Sequence, residues 1–232
     1  MAHANRLAET EPVPIKIDFV SDVSCPWCAI GLKSLEQALT RLDGKVAVEI
    51  HFQPFELNPE MPAEGRDTAE YLKQKYDSTP EQLARNRENI RARGAALGFE
   101  FGKRDRVYNT FDAHRLLHWA GLEGRQQALK HALFRAYFTD GEDVGAREVL
   151  IRLAGEVGLS TARAREILSS DAYAADVRAQ ERFYHAHGIN AVPAVIVNDR
   201  HLISGAQSVD VFEGALKQIA RVDASEADRP VK

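Results

Sequence analysis

Hydrophobic and polar positions change their period twice along the chain and divide it into three parts. The first part begins with residues 15–20, where apolar and polar residues alternate as in a half-buried strand. Residues 30–42 then carry an apolar residue every three or four positions, which predicts an amphipathic helix. Alternation returns over residues 45–52 and predicts a second strand. A strand, a helix and a strand form a βαβ unit, in which the two strands run parallel.

The middle part, residues 67–187, is rich in helix-forming residues and has almost no β-branched runs. Prolines at three positions within residues 53–62 separate it from the first part. Its periodicity, interrupted by glycines, predicts helices over residues 68–76, 80–97, 110–120, 125–138, 146–157, 161–169 and 171–187. Ser78 or Thr79 is expected to cap the second of these helices.

The last part of the chain returns to strand character. Residues 194–197 and 201–204 are short apolar runs on either side of a polar turn, a pattern typical of a β-hairpin. A helical period follows over residues 209–220, with Ser208 as its expected cap. Both ends of the chain, residues 1–14 and 223–232, are polar and are predicted to be loose.

These elements predict an α/β fold. A parallel βαβ unit and an antiparallel ββα unit can share one sheet with helices on its faces. We therefore predict one discontinuous domain, formed by residues 14–61 and 188–222. A helical insertion, residues 62–187, interrupts this domain and is expected to lie as a lid beside the start of the first helix.

The only two cysteines of the chain, Cys25 and Cys28, fall at the start of that first helix, with Ser24 as its expected cap. Unpaired N–H groups and a partial positive charge at a helix N-terminus favour a thiolate. Pro26 suits the first turn, because it has no N–H to leave unpaired. We expect Cys25 to be the exposed nucleophile, and Cys28 to be shielded and able to attack a mixed disulfide at Cys25.

Two structural interpretations compete with this chemistry. A zinc site needs four ligands, and without a second cysteine pair the other two would have to come from the eight histidines. His114 and His118, one helical turn apart, have a spacing that suits metal ligation, but such pairs are more often just two partly buried or surface histidines. A purely structural disulfide is disfavoured, because so short a loop constrains the unfolded chain little. Redox or nucleophilic chemistry is favoured, and no metal site is predicted.

Composition narrows the class of protein. The chain has 232 residues and a net charge of −4, with 44% hydrophobic residues, which is ordinary for a globular protein. The slightly acidic balance argues against nucleic acid or a membrane surface as a partner. No apolar run is long enough to span a bilayer, and the N-terminal stretch lacks the apolar region of a secretory signal. We therefore expect a cytoplasmic protein, in which such a cysteine pair is more often catalytic than structural.

Four segments resemble, in sequence and in order, the FrnE-like members of the DsbA family within the thioredoxin-like superfamily. They are residues 22–28 with Gly31, residues 109–116, Val192-Pro193, and residues 204–207. The resemblance covers about residues 15–220. It implies a thioredoxin-like fold (βαβ + ββα) with a large all-helical insertion, as in DsbA. It also implies a thiol-disulfide oxidoreductase of the protein disulfide oxidoreductase or isomerase type.

The resemblance assigns roles to matching positions. Cys25 would attack a disulfide and Cys28 would resolve the mixed disulfide. Val192 and Pro193 would be joined by a cis peptide bond facing the cysteines, with the Val192 backbone free to pair with a substrate strand and Pro193 keeping metals from the thiols. Periplasmic DsbA has histidine where this chain has Trp27, so we expect a more reducing pair here, or an apolar contact between Trp27 and substrate.

Other residues are weaker candidates. Asp22 could accept a proton from Cys28 or hold a water, but is more typical of a turn or cap. Phe111 or His114 could line a substrate groove if the insertion folds over Cys25. The basic residues of the second predicted helix form a solvated face, or a contact for glutathione or a partner; they are Arg85, Arg87, Arg91 and Arg93.

Two other functions remain open. One is a glutathione-dependent isomerase or transferase, resembling 2-hydroxychromene-2-carboxylate isomerase or kappa-class glutathione transferases, although such relatives generally carry serine in place of Cys25. The other is a chaperone or scaffold that uses the groove beside the insertion. We expect no cofactor, apart from glutathione as reductant or co-substrate. The expected partners are protein or small-molecule thiols and disulfides, and the protein is expected to be a monomer or homodimer.

Overall fold

The computed structural model describes residues 15–42 and 47–227. The strands are β1 (Ile15–Ser21), β2 (Val48–Pro54), β3 (Arg66–Asp67), β4 (Arg106–Val107), β5 (Ala194–Val197) and β6 (His201–Ser204). The helices are α1 (Pro26–Arg41), α2 (Thr68–Tyr76), α3 (Pro80–Ala96), α4 (Phe111–Leu122), α5 (Gln126–Phe134), α6 (Arg147–Glu156), α7 (Thr161–Leu168), α8 (Ala174–Ala186) and α9 (Val209–Ala227). A π-helical turn, Arg135–Thr139, follows α5 directly.

A four-stranded sheet in the order β2-β1-β5-β6 forms the centre of the fold. Strand β1 is parallel to β2 and antiparallel to β5, and β5 and β6 form the predicted hairpin. Phe19 in β1 lies beside Phe52 in β2 and Val195 in β5, and all three side chains are buried. The predicted thioredoxin-like arrangement of a βαβ and a ββα unit is confirmed.

The insertion packs against this sheet through the β2 edge. The side-chain amide of Gln126, at the start of α5, donates to the carbonyl of Phe52 and accepts from its N–H, at 3.0 and 2.9 Å. Helices α4 and α8 also contact β2, while α1 packs against α9. The first turn of α5 is therefore fixed directly to a strand next to the one that leads to the cysteines.

Several predicted boundaries are corrected. The second strand runs to Pro54, and the part of the prediction that covers residues 45 and 46 lies outside the described residues. The predicted helix over 125–138 ends as an α-helix at Phe134, because the chain widens into the π turn. The helix predicted from residue 171 begins at Ala174, since Tyr173 has a positive φ of 61°.

The ends of the chain and the insertion also differ from expectation. Helix α9 continues to Ala227, beyond the predicted end at residue 220, so the start of the polar tail is helical. The other tail, residues 1–14, and residues 228–232 lie outside the described residues. The insertion is not entirely helical, because β3 and β4 form a short antiparallel ribbon. None of the helices in the described ranges is long and apolar enough to cross a membrane.

Candidate active site

The two cysteines lie where α1 begins, but the helix starts one residue later than predicted. Cys25 itself is the N-cap, with an extended backbone (φ −90°, ψ 112°), and Pro26 occupies the first turn. Ser24 does not cap, because its backbone and side chain are engaged by Asp22. Both cysteines are free thiols, with no disulfide between them. The expectation of an exposed Cys25 is wrong: its exposed fraction is 4%, against 0% for Cys28, so it is only the more accessible of the two.

The loop before β5 faces Cys25. The thiol of Cys25 donates to the carbonyl of Val192, with 3.8 Å between Sγ and O. The Val192–Pro193 peptide bond is cis. A Cβ placed on Gly31, one turn after Cys28, would lie 3.0 Å from Cγ of Pro193, so α1 and this loop approach closely because residue 31 is a glycine.

Asp22 holds the turn that delivers Cys25. Its fully buried carboxylate accepts hydrogen bonds from the N–H of Ser24 (3.2 Å), the hydroxyl of Ser24 (2.9 Å) and the N–H of Leu57 (2.7 Å). Burial alone would raise the pKa of Asp22, but interactions with His114, and then with Leu57 and Thr110, lower it to about 2. Asp22 is therefore an anion at neutral pH and a weak base, which favours the turn interpretation over that of a proton acceptor.

His114 and Phe111 do not line an open groove together. His114 is buried, with its Nε2 3.5 Å from Oδ1 of Asp22, and therefore contacts the turn before Cys25 from the protein interior. The ring of Phe111 is covered by Arg178, whose Cζ lies 3.8 Å from the ring centre. Arg178 in turn forms ion pairs with the buried Glu56 and with Glu181, the latter at 2.7 Å.

One arginine of the basic face reaches the active site, which the sequence analysis did not predict. The guanidinium of Arg93 lies 5.1 Å from the ring centre of Trp27 and donates to the carbonyl of Ala206 at 2.9 Å. Arg93 thereby links α3 to the residue between the cysteines and to the end of the β-hairpin. Arg85, Arg87 and Arg91 are exposed. The sequence pattern of these arginines does not indicate which of them contacts another part of the protein and which are exposed.

A buried lysine was also missed. Lys130 in α5 has no exposed surface, and its Nζ has no hydrogen-bond partner. Burial lowers the pKa of Lys130 to about 8, while the charges of Cys28, Asp22 and Cys25 act in the opposite direction. Burial, and then the neighbouring Cys25, raise the pKa of Cys28 well above its ordinary value of 9.0, and the charge of Lys130 opposes that rise.

A cavity of about 390 Å³ opens beside Pro26, between α2, α3 and residues 100–105. Its apolar lining comes from Ala69, Leu72, Leu83, Ile90, Phe101 and Phe138. Its charged lining consists of Arg87, Arg91, Lys103 and Arg104 against Glu100 and Asp105. The cavity therefore combines an apolar surface with an excess of positive charge and suits a small anionic ligand.

Metal ligands are not gathered at the site. Among the residues that the structure describes, no group of three or more histidine, cysteine or acidic side chains is placed to hold a metal ion. His118 has the helical spacing from His114 that suits metal ligands. Its ring centre lies 5.3 Å from that of Tyr173.

Residues 16–217 match the model of the DSBA-like thioredoxin domain. The chain belongs to this family. A probable DsbA oxidoreductase from Streptomyces coelicolor is 35% identical, with a TM-score of 0.85 over 94% of this chain and 93% of its own. The uncharacterized protein YwbO of Bacillus subtilis is 29% identical over 87% of this chain and 96% of its own. The cytosolic disulfide reductase DsbM of Pseudomonas aeruginosa, solved with GSH, is 20% identical and shares the fold, with a TM-score of 0.61 over 89% and 99% of the two chains.

Proposed function

We propose that this DsbA-like protein is a thiol-disulfide oxidoreductase that works through Cys25 and Cys28. The observation that carries the proposal is the placement of Cys25 at the N-cap of α1 with its thiol against the carbonyl of Val192, while Cys28 is buried one turn further. Cys25 attacks a substrate disulfide and forms a mixed disulfide. Cys28 then attacks Cys25 and releases the reduced substrate.

Substrate binding is assigned to the surface around Cys25. The backbone of Val192 pairs with an extended substrate segment, and the half-buried Pro26 and Trp27 contact the substrate beside the disulfide. The absence of a histidine between the cysteines makes the pair more reducing than that of periplasmic DsbA. This character fits a FrnE-like enzyme of the cytoplasm.

Glutathione is proposed as the small-molecule partner of the pair. The cavity beside Pro26 has four basic and two acidic side chains in its lining, and glutathione carries two carboxylates. This observation also supports the second candidate function, a glutathione-dependent isomerase or transferase. The presence of both cysteines favours the oxidoreductase, because a transferase needs no resolving thiol.

The test is equilibration of the protein in glutathione redox buffers, followed by measurement of the oxidised fraction of the cysteine pair. We expect a reversible two-electron transition, no disulfide exchange by Cys25→Ser, and accumulation of mixed disulfides in Cys28→Ser. Reduction of insulin is a suitable activity for both variants. A stable glutathione adduct at Cys25 without a Cys25–Cys28 disulfide would overturn the proposal in favour of the second candidate, and exchange by Cys25→Ser would overturn the mechanism.

A further inference from the structure

The cavity beside Pro26 contains a buried hydroxyl group that has no hydrogen-bond partner. The side chain of Thr68, the first residue of α2, lines this cavity and is only 4% exposed. Its Oγ1 forms no hydrogen bond with any of the described residues. Buried polar side chains in proteins are nearly always hydrogen-bonded. The hydroxyl group of Thr68 is therefore available to a polar group of a ligand in the cavity.

Arg104 brings a positive charge to the wall of the same cavity. Its guanidinium lies over two buried aromatic rings, with Cζ 5.0 Å from the ring centre of Tyr137 and 5.1 Å from that of Phe138. Stacking of this kind orients a planar guanidinium. The N–H of Thr68 donates to the carbonyl of Asp105 at 2.9 Å, so the segment with the buried hydroxyl is fixed to the segment that carries Arg104.

Much of the positive charge around the cavity is left without an ion pair. Lys103 is paired with Asp105 at 2.9 Å, so the charges of these two side chains offset each other. Three guanidinium groups of the lining take part in no ion pair between described residues, namely those of Arg87, Arg91 and Arg104. The other carboxylate of the lining is that of Glu100. The cavity therefore favours an anionic ligand.

The wall that carries Arg104 is held in place by close backbone contacts. The N–H of Gly102 donates to the carbonyl of Phe138 at 2.8 Å. A Cβ placed on Gly94 would lie 2.5 Å from the ring of Phe101, so α3 approaches this wall closely because residue 94 is a glycine. The fold itself thus fixes the shape of the cavity, as is usual for small-molecule sites.

Most of the remaining lining is apolar, and its large side chains are Leu72, Leu83, Ile90, Phe101 and Phe138. A ligand that fills the cavity therefore needs an apolar body, which gains free energy when it leaves water. A carboxylate suits the polar groups, because it can accept hydrogen bonds both from the guanidinium of Arg104 and from the hydroxyl of Thr68. Glutathione supplies carboxylates, but its polar peptide chain does not match the apolar lining.

We propose that this cavity selects substrates with an apolar arm that ends in a carboxylate, a role that rests on the proposed oxidoreductase function. The carboxylate binds Arg104 and Thr68, the arm lies along the apolar lining, and the sulfur lies past Pro26 at Cys25. For a symmetric disulfide, Cys25 attacks one sulfur and the first arm leaves as a thiolate. Cys28 then attacks Cys25, and the second arm leaves. The pair is oxidised by two electrons, the substrate is reduced by two, and the two cysteine protons pass through solvent to the two arms.

The experiment mixes the reduced protein with one disulfide at a time, quenches with acid and measures the remaining protein thiols. Dithiodihexanoate, with its sulfur atoms on the terminal carbons, has an apolar arm and a carboxylate. Its dimethyl ester keeps only the arm, and dithiodiglycolate keeps only the carboxylate. Each rate constant is divided by that of dithiothreitol with the same disulfide, which corrects for intrinsic reactivity. We expect dithiodihexanoate to react about ten-fold faster than either of the others, because it alone matches both parts of the cavity.

Two variants and a control assign this preference to the polar groups of the cavity. Arg104→Met removes the guanidinium and should slow the reaction with dithiodihexanoate about ten-fold. Thr68→Val removes only the hydroxyl and should slow it about five-fold. Neither variant should change the rate with the dimethyl ester. Arg85→Met removes an exposed arginine of α3 that is not part of the cavity lining, and it should change neither rate.

The outcomes separate the inference from the proposed function. Equal rates with the three disulfides would overturn the inference, while oxidation of the cysteine pair would still support the proposed function. A faster reaction with glutathione disulfide than with dithiodihexanoate would also overturn the inference and leave the cavity to glutathione. Failure of every disulfide, including hydroxyethyl disulfide, to oxidise the pair would instead overturn the proposed function.

A measurement on the wild-type protein covers the case in which the variants do not fold. Octanoate has the arm and the carboxylate but no sulfur, so it should slow the reaction with dithiodihexanoate in a saturable way. Octanol and acetate each lack one of the two groups, and at the same concentration each should have about a tenth of this effect or less. Equal inhibition by octanol, or no inhibition by octanoate, would overturn the inference.

Discussion

The thiol of Cys25 and the carbonyl of Val192 face each other at 3.8 Å, although 167 residues separate them in the chain. The contact joins the βαβ part of the fold to the hairpin part. It leaves Cys25 with a narrow accessible edge and Cys28 with none. The two thiols therefore differ in accessibility, since only Cys25 has a surface that a reagent in solution can reach.

Alkylation should distinguish the two thiols. Iodoacetamide added to the reduced protein at pH 7 should modify Cys25 at least about ten times faster than Cys28, because the thiolate is the reactive form and Cys28 is both buried and disfavoured as a thiolate. Mass spectrometry of the peptides measures both rates. In guanidinium chloride the two rates should become similar, and equal rates in the folded protein would contradict the assignment.

Gly31 sets the distance between α1 and the Pro193 loop. We expect Gly31→Ala to lower the free energy of unfolding by about 1–3 kcal/mol, the usual cost of overpacking, because its Cβ would lie 3.0 Å from Pro193. Gly214→Ala in α9 is the control: its Cβ would meet open space, so it should raise stability by about 0.5–1 kcal/mol. Urea unfolding measures both. A Gly31→Ala protein as stable as wild type would show that the loop yields.

Local patterns predicted the parts of the fold that depend on neighbouring residues. Alternation identified β1, and two short apolar runs on either side of a polar turn identified the hairpin. The position of the cysteines at a helix start followed from the apolar period after Cys28. The exact cap was missed, because Ser24 is drawn to Asp22 and leaves Cys25 at the cap position. The hydrophobic period shows where a helix begins, but it does not show which hydrogen bond a polar side chain near that point will form.

The burial of Lys130 and the contact of Arg93 with Trp27 were not predicted, because both depend on segments that are distant in the chain. The two basic residues lie in helices whose polar residues are expected to face solvent. Their environments are set by the packing of the insertion: α5 on β2 buries Lys130, and α3 beside α1 brings Arg93 over Trp27. Contacts between segments about 65 to 80 residues apart leave no trace in a local pattern.

Asp22 should contribute stability in a pH-dependent way. Its pKa in the folded protein is lowered from 3.8 to about 2, so the contribution is complete above about pH 4 and is lost as pH falls through 2. The shift corresponds to about 2 kcal/mol. We expect wild type to exceed Asp22→Asn in free energy of unfolding at pH 6, with a gap that narrows towards pH 2. Asp176→Asn, an exposed carboxylate in α8, is the control and should show no such gap.

Arg93 should control the environment of Trp27. Removing its guanidinium in Arg93→Ala loses a cation–π contact and a hydrogen bond, each worth about 1 kcal/mol, and uncovers the indole. In a Trp119→Phe background, in which Trp27 is the sole tryptophan, emission should shift to longer wavelength and acrylamide quenching should increase. The exposed Arg85 on the same helix is the control, and equal quenching in Arg93→Ala and Arg85→Ala would contradict the contact.

The cavity beside Pro26 should select anionic disulfides. Arg87→Ala combined with Arg91→Ala should lower kcat/KM for glutathione disulfide by about ten-fold, since each exposed charge contact is worth about 0.5–1 kcal/mol. Hydroxyethyl disulfide has the same reactive bond but no charge, so its kcat/KM should be unaffected. Added salt should weaken the wild-type preference for glutathione disulfide in the same direction, because both contacts are exposed. Arg85→Ala controls for the loss of positive charge on α3. An equal loss with both disulfides would indicate damage to the cysteine pair, whereas no loss with either would remove the cavity as the site that holds glutathione.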